Sequence, residues 1–92
     1  MYKKEKLNNI IKKELSQTIL KELDLSSDIV VTVTRVEVSQ NGFFAKVYIS
    51  VLPVEKKEEI VGMLEKKIFF IQQNLNSKLK IRPVPRIEFV RE

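Results

Sequence analysis

Arg82 and Arg86 bracket the segment Pro83-Val84-Pro85 near the end of the sequence, and Lys78 and Lys80 stand just before it. Proline fixes φ, lacks an N–H and drives the preceding residue toward extended geometry, so Arg82 and Val84 are expected outside helix. Both arginines are expected to project from this stiff joint. Cationic side chains on a stiffened backbone lose less entropy when they engage phosphate oxygens, which accept charge-assisted hydrogen bonds from them. A second pair, Lys66 and Lys67, sits in the middle of a helical pattern. Lys66, Lys67, Lys78, Lys80, Arg82 and Arg86 are therefore the candidate binding residues, and the chemistry they offer is capture of a polyanion. For each of them the plain alternative is a solvated surface charge.

Few other chemistries are open. The 92 residues include no cysteine and no histidine, which removes disulfides, thiol nucleophiles, soft metal sites and the usual near-neutral general base. The twelve Asp and Glu residues are scattered or interleaved with lysine, with no converging set for a carboxylate or Mg²⁺ site. The chain reads as a binding protein rather than an enzyme, needing neither metal nor cofactor. Seventeen Lys and Arg residues give a net charge of +5, which suits a polyanionic, salt-sensitive partner, and a merely solvated lysine-rich surface accounts for the total equally well. From Lys78 onward five cations face only Glu88 and Glu92.

At 43% apolar content the chain suits one domain over residues 1–92, large enough to bury roughly 60–70% of its unfolded surface. No apolar run exceeds four residues, Ile68 to Ile71, whereas a membrane span needs about 20. The N-terminus leads into an amphipathic helix instead of a signal segment. A soluble, cytoplasmic monomer is expected.

The elements that must position the cations follow from periodicity. Leu7, Ile11, Leu15 and Ile19 mark an amphipathic helix over about residues 3–23, and Asp24 to Asp28 reads as a loop. The β-branched run Ile29–Ser39 changes parity between Val33 and Val36, which a bulge near Thr34-Arg35 reconciles. Asn41-Gly42 signals a hairpin, after which Ala45, Val47, Ile49 and Val51 share one face and Phe44, Lys46, Tyr48 and Ser50 the other. Ile60, Met63, Leu64, Ile68, Ile71, Leu75 and Leu79 form the stripe of a second helical segment, and Ile87 and Phe89 centre a last strand. The order is helix, strand, strand, helix, strand, an α+β arrangement. In an ideal continuous helix Lys67 falls inside the apolar stripe and Phe69 opposite it. A kink near residues 66–70 is the favoured resolution; a snorkelling Lys67 with a surface Phe69 is the other.

In the strands Val33-Thr34-Arg35-Val36-Glu37-Val38-Ser39 and Ala45-Lys46-Val47-Tyr48-Ile49-Ser50-Val51-Leu52, in the closing Leu79-Lys80-Ile81-Arg82-Pro83-Val84-Pro85-Arg86-Ile87-Glu88-Phe89 and in element order, the chain resembles ribosome-binding factor A. The resemblance implies a type II K-homology fold, with helices on one face of a three-stranded sheet. It also implies binding to free small (30S) ribosomal subunits, assistance in late maturation of the 16S rRNA including its 5′ end, and a link to growth in the cold. On this reading the six cations are rRNA contacts, with ribosomal proteins as further partners. The Gly-x-x-Gly loop by which K-homology modules clamp nucleic acid is missing, since the only glycines are Gly42 and Gly62, twenty residues apart. The family's interhelical kink is built on Ala-x-Gly; here those positions are Lys67, Ile68 and Phe69.

Within that frame Phe69 is expected to be buried by the kink, with base stacking or packing on a ribosomal protein as the alternatives. Lys3, Lys4, Lys6, Lys12 and Lys13 are read as a solvated face with acidic neighbours, and Arg35 and Tyr48 as cross-strand partners. Two other functions compete: a generic single-stranded-RNA-binding K-homology-like module, and a protein-interaction domain whose basic surface is incidental.

Overall fold

Four-residue spacing of Leu7, Ile11, Leu15 and Ile19 drives the first helix, α1 (Lys4–Glu22), in which Ile11, Leu15 and Ile19 are buried. The structure is a computed structural model and describes residues 3–91; Met1, Tyr2 and Glu92 lie outside the described residues. Strands β1 (Val30–Val38) and β2 (Phe44–Leu52) pair antiparallel, and the register shifts between Val33 and Arg35, where the change of parity requires it. Val33, Val36 and Val38 are thereby all buried.

Between the strands Gly42 takes φ +79°, a conformation that side-chain-bearing residues rarely adopt. Its N–H donates to the Ser39 carbonyl at 3.0 Å, and the Asn41 Oδ1 accepts from the Phe43 N–H at 3.0 Å. The turn is fixed by its own polar groups.

A short 3₁₀ turn (Val54–Lys56) leads into α2 (Lys57–Lys66), and α3 (Ile68–Lys78) follows after a break at Lys67. Strand β3 (Arg86–Val90) then returns parallel to β2, with Phe44 opposite Arg86 and Val47 opposite Phe89, so β2 is the central strand of the order β1-β2-β3. Parallel neighbours need a long crossover, which α2 and α3 supply.

The helices cover one sheet face. Ala45, Val47, Ile49, Val51, Ile87 and Phe89 point into the core, where they meet Ile11, Leu15, Ile60, Leu64, Ile71 and Leu75. Each fully buried aliphatic chain stabilises the fold by about 1.5–3 kcal/mol relative to exposure. The single buried polar side chain among the described residues, Thr18, places its hydroxyl 3.0 Å from the Asn74 Oδ1, tying α1 to α3. The opposite sheet face is open to solvent, and no described helix is long and apolar enough to cross a membrane.

Candidate nucleic-acid interface

The helix break is real, and it needs no small residue. Lys67 sits at φ −99°, ψ 9°, in the bridge region open to ordinary side chains, and closes α2 while opening α3. Its N–H lies 3.2 Å from the Met63 carbonyl and 3.1 Å from that of Leu64, while its own carbonyl accepts from the Ile71 N–H at 3.0 Å. Lys66 is exposed and Lys67 is half-buried.

The expectation that the kink would bury Phe69 is wrong. Phe69 and Phe70 are each 63% exposed. After the break Ile71 and Leu75 aim inward, and Phe69, two residues before Ile71, is rotated about 200° from it. The kink and the surface aromatic therefore occur together. The two rings meet edge to face, with centroids 5.7 Å apart and planes at 83°.

At the other end of α3 the buried Leu79 pins the chain, leaving Lys78 and Lys80 exposed on either side of it. Lys78 stands in the last helical turn, where a cation is favoured by the helix dipole. The two arginines of the joint then part company. Arg82 folds back instead of projecting freely: its Nη1 donates to the Ile81 carbonyl at 2.7 Å and to the Leu79 carbonyl at 3.3 Å, bracing the chain just past the helix. Arg86 opens β3 in register with Phe44, so it lies on the open face of the sheet. Its N–H donates to the Phe43 carbonyl at 2.8 Å, joining the joint to the hairpin.

Gln72 holds the joint against α3. Its Oε1 accepts from the Ile87 N–H at 2.9 Å and its Nε2 donates to the Pro85 carbonyl at 3.0 Å. One side-chain amide thus replaces a strand neighbour for the backbone just before and within β3. Gln72 carries no signal in a hydrophobic pattern, because its role depends on contacts thirteen and fifteen residues away.

Charge is distributed far less evenly than the total suggests. From Lys66 to Ile87 there are six cations and no acid; Glu65 and Glu88 bound the run. The other seventy residues hold eleven cations against twelve acids, so the entire positive excess belongs to α3 and the joint. This asymmetry is legible in the sequence and is a sharper mark than the density of cations after Lys78. Among the described residues none of the six forms an ion pair.

Two clusters elsewhere on the surface are paired. Arg91 donates to Glu58 at 2.8 Å and, through both terminal nitrogens, to Glu65 at 2.6 and 3.0 Å. The Arg91 guanidinium lowers the Glu65 carboxyl below its ordinary range, and the two carboxylates raise the arginine in turn. On the open sheet face the Arg35 guanidinium lies 4.1 Å from the centre of the Tyr48 ring, and the Tyr48 hydroxyl donates to Glu37 at 2.8 Å. A cleft of 830 Å³ runs between the start of α1, the end of β1, the start of β2, β3 and the α2–α3 junction. Lys4, Lys46 and Arg86 line it together with Glu37, Glu65 and Glu88, so its charges balance. A smaller groove of 390 Å³, bounded by α1, the hairpin and the joint, is lined by Lys4 and Arg82 and by no acid.

Comparison with known proteins decides the lineage. The sequence matches the family model for ribosome-binding factor A over residues 3–92. The chain belongs to the ribosome-binding factor A family. A ribosome-binding factor A from Coprothermobacter proteolyticus is 33% identical over 87 residues, covering 95% of this chain, and the chain spans 64% of that relative's length. The crystal structure of ribosome-binding factor A from Thermus thermophilus superposes with a TM-score of 0.81 at 25% identity, covering 97% of this chain and 96% of that one. A homology model of the Thermus thermophilus factor fitted into the cryo-EM map of a 30S–ribosome-binding factor A complex has a TM-score of 0.73 at 23% identity, covering 91% and 89%. The fold is the K-homology-like fold of these family structures, with the expected helix-strand-strand-kinked helix-strand order. The break between α2 and α3 forms at Lys67-Ile68-Phe69 without a small residue.

Proposed function

We propose that this chain is a ribosome assembly factor that binds free 30S subunits by its acid-free side and assists late maturation of the 16S rRNA, including its 5′ end. The observation that carries the proposal is the run Lys66–Ile87, which concentrates the net positive charge on one helix and its exit. Lys66 and Lys67 at the start of α3, and Lys78, Lys80 and Arg82 at its end, stand about 16 Å apart across eleven helical residues and contact phosphates at two places. Arg86 extends the contact around the edge of β3. Such cations supply affinity and orientation, while the rigid outline of the fold supplies placement. The family to which the chain belongs, and the 30S complex described for the Thermus relative, support the small subunit as the polyanion. Binding is the whole of its chemistry.

Co-sedimentation with free small subunits, complete ribosomes and an unrelated structured RNA across a salt series tests this. The expected result is preference for free small subunits, with affinity falling linearly in log[salt]. Equal binding to all three overturns the assembly-factor reading. Mapping of 16S 5′ ends in cells depleted of the chain tests the maturation role, and unchanged ends would remove it.

A further inference from the structure

Phe69 and Phe70 are aromatic side chains that the fold leaves in solvent although a core lies one helical face away. Each exposed ring forgoes the stabilisation that burial would give, and their edge-to-face contact at 5.7 Å recovers only part of it. Exposed rings of this kind mark a surface that is covered in use.

We infer that Phe69 and Phe70 form a base-stacking site for single-stranded RNA on the solvent face of α3. The inference rests on the reading of α3 as an RNA-binding side, and deepens it by naming unpaired, unstacked bases as the ligand. Planes at 83° make a corner, in which a base lying flat on one ring abuts the other. Every base offers a π-face, so stacking there tolerates any sequence. Gln73, one turn further along, is exposed, and its amide offers both a donor and an acceptor to a base edge.

Charge selects RNA over a protein for the same apolar patch. The helix that carries the rings has cations at both ends, and no acidic residue occurs between Glu65 and Glu88. A chain that is anionic along its backbone and apolar on its base faces complements this arrangement in both respects. With no Gly-x-x-Gly loop to clamp the backbone, stacking on the two rings gives this surface a hold on a strand beyond simple phosphate attraction.

The test uses a short unstructured RNA carrying 2-aminopurine, whose fluorescence is quenched on stacking, alongside free small subunits. Phe69→Ala with Phe70→Ala is expected to weaken binding to that RNA about tenfold or more and to abolish the extra quenching, while leaving the slope of affinity against salt unchanged. Phe69→Leu with Phe70→Leu keeps apolar area without a π-face and is expected to behave like the alanine pair. Both pairs substitute exposed positions, and circular dichroism confirms that they fold. Lys66→Gln with Lys78→Gln should instead lower the salt slope by about one for each lysine. If the phenylalanine variants bind RNA and subunits like the parent while the lysine variants do not, stacking is rejected and the basic-surface reading stands. Unchanged binding in both sets rejects both readings. Subunit binding lost in the alanine pair but kept in the leucine pair, without any change in quenching, assigns the rings to a ribosomal protein and overturns the inference.

Discussion

The solvent side of α3 and the open face of the sheet carry similar inventories of cations and rings, and they differ in where their acids stand. The sheet face has Phe44, Tyr48, Arg35, Lys46 and Arg86; the helix side has Phe69, Phe70, Lys66, Lys67, Lys78, Lys80 and Arg82. On the sheet Glu37 and Glu88 stand directly opposite Lys46 in register, Glu37 takes the Tyr48 hydroxyl and lies 3.9 Å from Arg35, and Arg35 covers the tyrosine ring. On α3 no acid intervenes, and the aromatic pair contacts only itself among the ring interactions of the described residues. A basic surface is thus defined less by how many cations it has than by where the counter-ions are. Acids interleave with the cations on the sheet face, whereas none occurs in the twenty-two consecutive residues that run through α3 and its exit.

Neutralising each side in turn is the strongest way to break this contrast. Lys66→Gln, Lys78→Gln and Lys80→Gln together should weaken binding to free small subunits on the order of 10²-fold at ~0.1 M salt, with a salt slope shallower by about three. Arg35→Gln with Lys46→Gln removes two cations of the same formal charge from the sheet and should change affinity by no more than about twofold, since acids stand beside Arg35 and opposite Lys46. Sedimentation titrations at several salt concentrations measure both. Comparable losses from the two sets would mean that net charge alone decides binding.

A smaller effect separates the scaffolds. Gln72→Ala leaves the Ile87 N–H and the Pro85 carbonyl without their partner, which should cost about 1–3 kcal/mol of stability and speed amide exchange at Ile87. Tyr48→Phe removes only the bond to an exposed Glu37 and should cost less than about 1 kcal/mol, with subunit binding unchanged. Urea denaturation of the two variants side by side checks the order; a larger loss in Tyr48→Phe would make the sheet face the more strongly held of the two.

Several of these positions are visible in the amino-acid sequence and several are not, for definable reasons. The bulge at Thr34-Arg35 and the break at Lys67 are both legible, because each is a point where one period cannot place all its apolar residues on one side. The outward Phe69 is legible too, since the same period sets it opposite the stripe; what periodicity does not show is that the break leaves it outward instead of turning it in. The separation of Arg82 from Arg86 is equally hidden: it depends on the Leu79 and Ile81 carbonyls, just past the end of α3, meeting one guanidinium and on the parity with which β3 pairs to β2. Gln72 illustrates the same limit, since an amide bridging a helix to a proline joint leaves no trace in composition or spacing. The absence of acids between Glu65 and Glu88 required no structure. What the structure adds is that this run spans the break at Lys67, the amphipathic α3 and its exit into β3.

The smallest expected effect lies at the boundary of that run, where Glu65 is held by Arg91. The hydrogen bonds from Arg91 lower the Glu65 carboxyl in the folded protein, so the unfolded chain, with an ordinary carboxyl near about 4.3, takes up its proton first as pH falls. The unfolded state then binds more protons than the folded one, and stability rises with pH across that window. The contribution of the pair is fully present above the unfolded value and is lost as pH drops through the lowered folded value. Urea midpoints of the parent and Glu65→Gln should therefore differ by a constant amount at neutral pH and converge in acid. Both side chains are exposed, so added salt should shrink the neutral-pH difference. A difference that persisted below the folded titration would show that Glu65 acts through packing rather than charge, and the acid-free side would then end at a structural post instead of an electrostatic one.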